Sequence, residues 1–291
     1  MRFDPTALLR WGVRYAPLPS ARDGLWSLAA TRAERPRAFD ARTRFGFRYA
    51  GDQGLLIPRC VYWFGHWEPL LSLWMQSALG PGDVFVDVGA NAGYYALLAS
   101  TAVGPTGRVV AIEPASKTHE ALEANLARNR AVNVRTVAAA VGATEATVPF
   151  YRAAWNDAES STVPRRGLEL SDDVPAAPLP ILLTEDEAAR TALVKIDVEG
   201  AEADVLRGMT QESAWMPKRL RIVVEVHIHH LARAGLSVAE LVAPFAELDF
   251  ATAWLPVDFT ERAHLHPKGD PAPRTTPLPE DQLFHLILAR E

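Results

Sequence analysis

Cysteine is almost absent from this chain. Cys60 stands alone, so neither an intrachain disulfide nor a cysteine-based metal site can form. Long apolar runs are missing too. No stretch approaches the roughly 18 apolar residues of a membrane span. Between Met1 and Ser20, Arg2, Asp4, Arg10 and Arg14 interrupt the apolar residues, so no continuous apolar leader region stands out. The expectation is a cytoplasmic enzyme without stable membrane insertion. Positive charge is scarce overall: the formal net charge is −5, which argues against bulk attraction to nucleic acid. The deficit is uneven, however. Residues 1–50 hold ten arginines against Asp4, Asp23, Glu34 and Asp40, a local balance of +6, so the remainder carries about −11. The simpler reading is a solvated arm that packs on an acidic main domain. The sharper one is contact with an acidic partner or a membrane surface.

What is present is an apolar budget of 48% over 291 residues, enough for a substantial core. The pattern fits one large α/β domain with an N-terminal extension. Residues 1–80 read as an arm, a hairpin and a helix; residues 81–291 read as the main domain. In the extension, Arg44 to Tyr49 and Gly54 to Ile57 flank Gly51-Asp52 as a hairpin, and Trp63 to Leu79 reads as one helix stopped by Gly80-Pro81-Gly82. Trp63, Trp67 and Trp74 suit a core better than cofactor stacking. From Asp83 onward strand and helix alternate. Strands are expected at 83–87, 108–112, 133–141, 192–197 and 220–227, with helices at 94–103, 116–129 and near 201–209. Alternation predicts a doubly wound, mostly parallel sheet covered by helices on both faces. A short strand at Ala146 to Tyr151 and late strands at Leu248 to Leu255 and Leu283 to Ala289 complete it. Residues 155–180 read as a polar, proline-rich loop that includes Trp155, and 256–279 as a proline-rich insertion.

The strand at Asp83 to Asp87 runs into Gly89-Ala-Asn-Ala-Gly93 and then an apolar helix. Strand, glycine loop and helix in that order form a nucleotide-binding crevice. Twenty residues on, Arg108 to Ile112 ends in Glu113, placed to accept hydrogen bonds from ribose hydroxyls. The loop lacks the middle glycine of a dinucleotide fingerprint; Asn91 stands between its glycines. It also lacks any basic residue, and Asp87 puts a carboxylate where a pyrophosphate would be repelled. A carboxylate there suits a cation or an amine. S-adenosylmethionine carries a sulfonium, an ammonium and a ribose without phosphate, and it fits best. A nicotinamide dinucleotide and an empty structural crevice are the alternatives.

Ligands of such sheets lie beyond the carboxyl ends of the strands. Asp197-Val-Glu-Gly-Ala-Glu202 crowds three acids there, which is costly unless something cationic or hydroxylic meets them. Glu199 and Glu202 also suit the first turn of the next helix, where acids favour the positive dipole end. After Ile222-Val-Val-Glu-Val226 comes His227, on the same strand face as Glu225 by the period of two. His227 is the candidate general base, with Asp197 or Glu199 as helper or substrate clamp. A histidine satisfied by a neighbouring carbonyl is the alternative. His227-x-His229 is also a metal-ligand spacing that Asp197 and Glu199 could complete, but no residue is assigned to a metal.

The chain resembles the FkbM-type family of S-adenosylmethionine-dependent methyltransferases. The matching pieces are Gly65-His-Trp-Glu-Pro69, Asp83-Val-Phe-Val-Asp-Val-Gly-Ala-Asn-Ala-Gly-Tyr-Tyr95, Gly107-Arg-Val-Val-Ala-Ile-Glu-Pro114, Asn133-Val134, Ala140-Val-Gly142, Ser160-Ser161 and Val194-Lys-Ile-Asp-Val-Glu-Gly-Ala-Glu202. They run in the family's order over about residues 45–230, and the last string is the most specific. The resemblance implies a Rossmann-like class I methyltransferase fold. It implies cofactor contacts from Glu68, Asp87, Gly89, Asn91, Gly93, Glu113, Pro114, Ala140, Val141 and Asp197. It also implies O-methylation of a hydroxyl on a sugar or other natural-product-type small molecule. The family's Thr-Leu-Asp segment is not matched; the chain reads Ile181-Leu-Leu-Thr-Glu-Asp-Glu187 there. A non-catalytic cofactor-binding scaffold and an NAD-dependent oxidoreductase are the competing functions. A homo-oligomer is compatible with the apolar arm.

Overall fold

The computed structural model describes residues 6–153 and 160–290, so Trp155 lies outside the described residues. The chain divides into two compact units. The first comprises Met1–Leu73 and Asp258–Asp270, the second Trp74–Val257 and Pro271–Glu291.

The first unit holds α1 (Ala7–Tyr15), α2 (Pro19–Ala33), β1 (Ala38–Arg42), β2 (Arg48–Asp52), α3 (Leu56–Phe64) and, from the later segment, α12 (Glu261–Leu265). A hairpin forms, but not where the Gly51-Asp52 pair suggested. β1 and β2 pair antiparallel from Ala38↔Asp52 to Arg42↔Arg48. The turn is made by Gly46, at φ 93°, a left-handed conformation glycine takes without strain. Gly51 instead lies within β2, where a Cβ would meet Pro58 Cβ at 2.9 Å. Its bareness serves close packing, not turning. The expected single helix over Trp63 to Leu79 is two helices. Gly65, left-handed at φ 85°, caps α3, and α4 (Pro69–Ala78) restarts at a proline.

Arg14 organises this unit. It is buried, and its guanidinium donates to Val61 O at 2.7 Å, Arg42 O at 2.7 Å, Trp63 O at 3.3 Å and Tyr62 O. Three of these carbonyls sit in the last turn of α3, at the negative dipole end, where Val61 O also accepts the cap amide of Gly65 at 3.1 Å. Burial pushes Arg14 down to about 10, so it stays charged at neutral pH.

The second unit carries β3 (Val84–Val88), α5 (Tyr94–Val103), β4 (Arg108–Ile112), α6 (Ser116–Asn129), β5 (Val134–Val137), β6 (Ala140–Val141), β7 (Ala146–Ala153), β8 (Leu168–Ala177), α7 (Leu179–Leu182), α8 (Glu185–Arg190), β9 (Thr191–Ile196), α9 (Glu202–Gln211), β10 (Arg221–Val226), α10 (Ile228–Arg233), α11 (Val238–Ala246), β11 (Phe250–Pro256) and β12 (Phe284–Arg290). Seven strands form the main sheet in the order β11-β12-β10-β9-β3-β4-β5. All pairs are parallel except the two made by β12. The strands buried on both faces are runs of valine, isoleucine and leucine, as a helix-covered parallel sheet requires. Val86, Val110, Val194, Ile222 and Leu286 lie in one buried cluster with Val205, Leu206 and Met209 of α9 and Phe245 of α11. The chain reverses direction along the sheet between β3 and β9, and the loops there open a crevice.

A further expectation fails. The stretch 155–180 is not a loop throughout: β8 pairs antiparallel with β7 and parallel with β6 in a three-stranded sheet. Five consecutive residues, Glu169 to Asp173, are exposed on both faces, so no period-2 signal marks it.

Replacing Arg14 with Met should destabilise the first unit by about 2–4 kcal/mol, because four carbonyl contacts lose their donor. Urea denaturation followed by far-UV circular dichroism would show it. A midpoint equal to that of the native chain would remove Arg14 from this role.

Candidate active site

The glycine loop after β3 is fixed to the end of β4. Gly89 N and Ala90 N both donate to Ile112 O at 3.0 Å, and Asn91 N donates to Glu113 Oε2 at 2.9 Å. Gly89, Asn91 and Gly93 all have positive φ, at 79°, 49° and 88°. Asn91 is the non-glycine type most tolerant of that region. A Cβ on Gly89 would meet Asp197 O at 1.9 Å. This glycine therefore lets the loop after β3 lie against the loop after β9, a packing role that the spacing alone does not reveal. Glu113 takes a second amide, Ala115 N at 3.0 Å on Oε1. Burial pushes its carboxyl up to about 7, against the pull of those two amides. Each oxygen accepts one backbone hydrogen and keeps further lone-pair capacity for a donor. Pro114 is half-buried beside it. Ala140 and Val141 form buried β6, paired with Ala176 and Ala177 of β8. Glu68 belongs to the first unit, where it takes a left-handed φ of 36° just ahead of α4.

Asp87 is fully buried in β3, and neither oxygen has a hydrogen bond of normal geometry among the described residues. Burial pushes it up to about 7; Lys195 draws it down, and Asp197 pushes it further up. Lys195, buried in β9, places Nζ 3.9 Å from Asp87 Oδ1, 3.0 Å from Asp197 Oδ2 and 4.9 Å from the Tyr95 ring centre. The sequence reading assigned Lys195 no role. The signal was there: it is the one charged residue in the strand Leu193 to Ile196.

Across the crevice, at the ends of β9 and β10, a second cluster gathers. Asp197, Glu199 and Glu225 bring carboxylate oxygens within 4.8 Å of one another, and Glu199, His227 and His230 do likewise with their ligand atoms. Glu199 was expected on the first turn of the next helix. It lies ahead of α9 instead, at φ 56°, followed by Gly200 at φ 105°. Glu202 does sit at the helix start, where it accepts Gly200 N at 2.9 Å. Burial, then Asp197, pushes Glu199 up to about 7, with His227 and Arg165 opposing. His227 Nε2 meets Glu225 Oε1 at 2.8 Å, and its ring stacks on His230 at 4.5 Å. Arg165 Nη1 reaches His230 Nε2 at 2.9 Å, and Arg165 Nη2 reaches Glu199 Oε2 at 3.5 Å. Burial, His227 and Arg165 together hold His230 down to about 4, so it is neutral at pH 7. His230, not the His229 of the His-x-His spacing, joins the cluster. The nitrogen and oxygen donors suit a divalent ion, but Arg165 already supplies a positive charge to two of the three. Arg165 was not singled out from the sequence, since its partners are remote in the chain; Glu225 was placed on the strand face of His227 but given no role.

The FkbM methyltransferase domain family matches residues 87–254, which include every site residue above except Glu68. The chain belongs to that family. It is 28% identical over 186 residues to methyltransferase sdnD of Sordaria araneosa, covering 50% of this chain and 71% of that protein. It is 34% identical over 185 residues to the AMB antimetabolite synthetase AmbE of Pseudomonas aeruginosa, 51% of this chain but only 8% of that much longer protein. Among solved structures, an FkbM methyltransferase from Methylobacillus flagellatus shares 15% identity at a TM-score of 0.44, over 71% of this chain and 43% of that one.

Asp87, Glu113 and Glu199 each titrate near 7 in the folded chain, above their ordinary range. The stability they contribute is fully present below about pH 4 and is lost as pH rises through about 7. The melting temperature of the ligand-free chain should therefore fall by roughly 5 °C or more between about pH 5 and pH 8. Asp87→Asn should flatten that slope. A flat native profile would mean that these carboxylates are not held as described.

Proposed function

We propose that this chain is an S-adenosylmethionine-dependent O-methyltransferase acting on a hydroxyl of a sugar or other natural-product-type small molecule. The observation that carries the reading is Asp87: a fully buried carboxylate with both oxygens unsatisfied, one strand away from Glu113 and beside a loop without basic residues. A buried carboxylate whose ion-pair partner, Lys195 Nζ, stands 3.9 Å away is costly to keep ionised. A ligand bearing positive charge and hydroxyl donors offsets that cost, and one bearing a pyrophosphate adds to it. S-adenosylmethionine, when bound, supplies an activated methyl group on a cationic sulfur. Asp87 and Asp197 would hold its cationic portion and Glu113 its ribose. Asn91, Gly89 and Gly93 would line the backbone side of that site, with Pro114, Ala140 and Val141 contributing apolar surface. The name of the AmbE relative, an antimetabolite synthetase, supports a small-molecule acceptor.

The acceptor side follows from the Glu225–His227 pair. With Glu225 accepting the Nε2 hydrogen at 2.8 Å, the imidazole is fixed in one tautomer, and Nδ1 is left to take a proton from an acceptor hydroxyl. The imidazolium so formed is stabilised by Glu225 and by Glu199. His230, neutral and stacked on it, adds no opposing charge. Asp197 and Glu199 serve as clamps for acceptor hydroxyls. A positioned base contributes about 10²–10⁴-fold, and holding the reactants in line contributes roughly 7–11 kcal/mol.

Calorimetry with S-adenosylhomocysteine tests the cofactor half of this reading. Micromolar binding is expected for the native chain, weakened by about tenfold or more in Glu113→Ala through the loss of one or two hydrogen bonds. No binding by the native chain would overturn the reading. For the acceptor half, His227→Asn should lower kcat by about 10²–10⁴-fold while leaving cofactor affinity within about twofold. Because Arg165 supplies the cluster's cation, turnover should survive a chelator; loss of activity restored by a divalent ion would assign the cluster to a metal instead.

A further inference from the structure

The arginine-rich arm is not accounted for by the methyl-transfer reading. Its first helix, α1, is amphipathic in an unusual sense: the face turned away from the first unit's core is apolar. Leu8 is 80% exposed, Trp11 59% and Tyr15 48%. Spacings of three and four place them in one row along the helix. Leu18, in the turn to α2, is also exposed. On α2, Leu28 is exposed as well, one turn beyond Leu25, which packs over Gly12. Trp11 and Tyr15 rings lie 6.2 Å apart, in contact with each other at the surface.

Around this row the charge is of one sign. Arg44 is exposed and sits 5.3 Å over the Tyr15 ring, and Arg42 is exposed next to the Arg14 contact; Arg10 lies over the buried Tyr62 ring and Arg14 is buried, so these two face the core. The described acids of this region are engaged elsewhere: Asp40 with Arg48 at 2.8 Å, Asp23 with His266 at 2.6 Å and Glu34 with Arg59 at 3.7 Å. None of them lies in α1.

We propose that α1 and its turn form a peripheral docking surface for an anionic lipid bilayer. Leucine with tryptophan and tyrosine on one face, flanked by arginines, is the composition of a helix that lies in the headgroup layer. Arg42 and Arg44 meet the lipid phosphates, and the apolar row enters the acyl boundary. Charge separates this occupant from a second copy of the chain, which would bring another arm of net +6 against the first. The row projects from a convex helix surface, which suits a deformable bilayer better than a protein groove. This surface belongs to the first unit and is independent of the chemistry assigned to the second.

Vesicle flotation of the full chain tests the inference, with phosphatidylcholine vesicles containing about a quarter phosphatidylglycerol and with phosphatidylcholine alone. The native chain should float with the anionic vesicles at low salt, at least about fivefold less with neutral ones, and less again at about 0.5 M salt. The double variant Leu8→Glu/Trp11→Glu should lose about tenfold or more on the anionic vesicles. Its melting temperature and S-adenosylhomocysteine affinity should stay native, which separates lost docking from lost fold. Absence of flotation, or flotation indifferent to the double variant, overturns the proposal. So does binding to soluble polyglutamate without binding to vesicles, which would assign an acidic protein. Dimerisation in sedimentation velocity that the variant abolishes, without vesicle binding, would assign a second copy.

Discussion

Carboxylates gathered where parallel strands end are expensive to keep dry, and the second unit is arranged around that expense. Asp87, Glu113 and Glu199 are all driven upward by burial; Lys195 opposes this at Asp87, two backbone amides at Glu113, and His227 with Arg165 at Glu199. Lys195 reaches Asp87 because β9 lies beside β3 in the sheet, and it reaches Asp197 just beyond its own strand. The sheet order is thus an electrostatic arrangement as much as a packing one. It puts one ammonium between Asp87 and Asp197, closer to Asp197 at 3.0 Å than to Asp87 at 3.9 Å.

Much of this was readable from the chain because local and tertiary signals agree. α5 and α6 fall on the expected residues: Gly93 and Gly104 bracket the first, and Arg130, left-handed at φ 52°, ends the second. The β3 and β4 strand ends, with Glu113 after the second, follow from apolar runs that stop at glycine or acid. Where the reading failed, local signals were ambiguous. Gly46 and Gly51 are equally plausible turn formers in sequence, and only the proximity of Pro58 explains why one turns and the other packs. β8 contains Ser171-Asp172-Asp173 and Pro175 and earns its strand from pairing with β7, a partner no window around it contains.

The site was legible to a different degree. Single acids at strand ends announce themselves, because nothing structural asks for them there. Relationships do not. That Glu225 holds His227, that His230 rather than His229 stacks on it, and that Arg165 reaches both His230 and Glu199 all depend on how α10 and the β7–β8 sheet fold over the strand ends. Glu199 shows the limit best. Helix-capping chemistry placed it in the first turn of α9, whereas the backbone turns left-handed there and directs it to the histidines.

Three consecutive amides of the glycine loop, at Gly89, Ala90 and Asn91, are bonded to the end of β4 by the chain alone. The ordering entropy of that loop is therefore incurred at folding rather than at binding. Ligand association at this edge resembles entry into a finished mould, and the heat of binding reports contacts made rather than a segment assembled. Hydrogen exchange should find those amides slow before any ligand arrives, in keeping with a loop whose conformation belongs to the sheet.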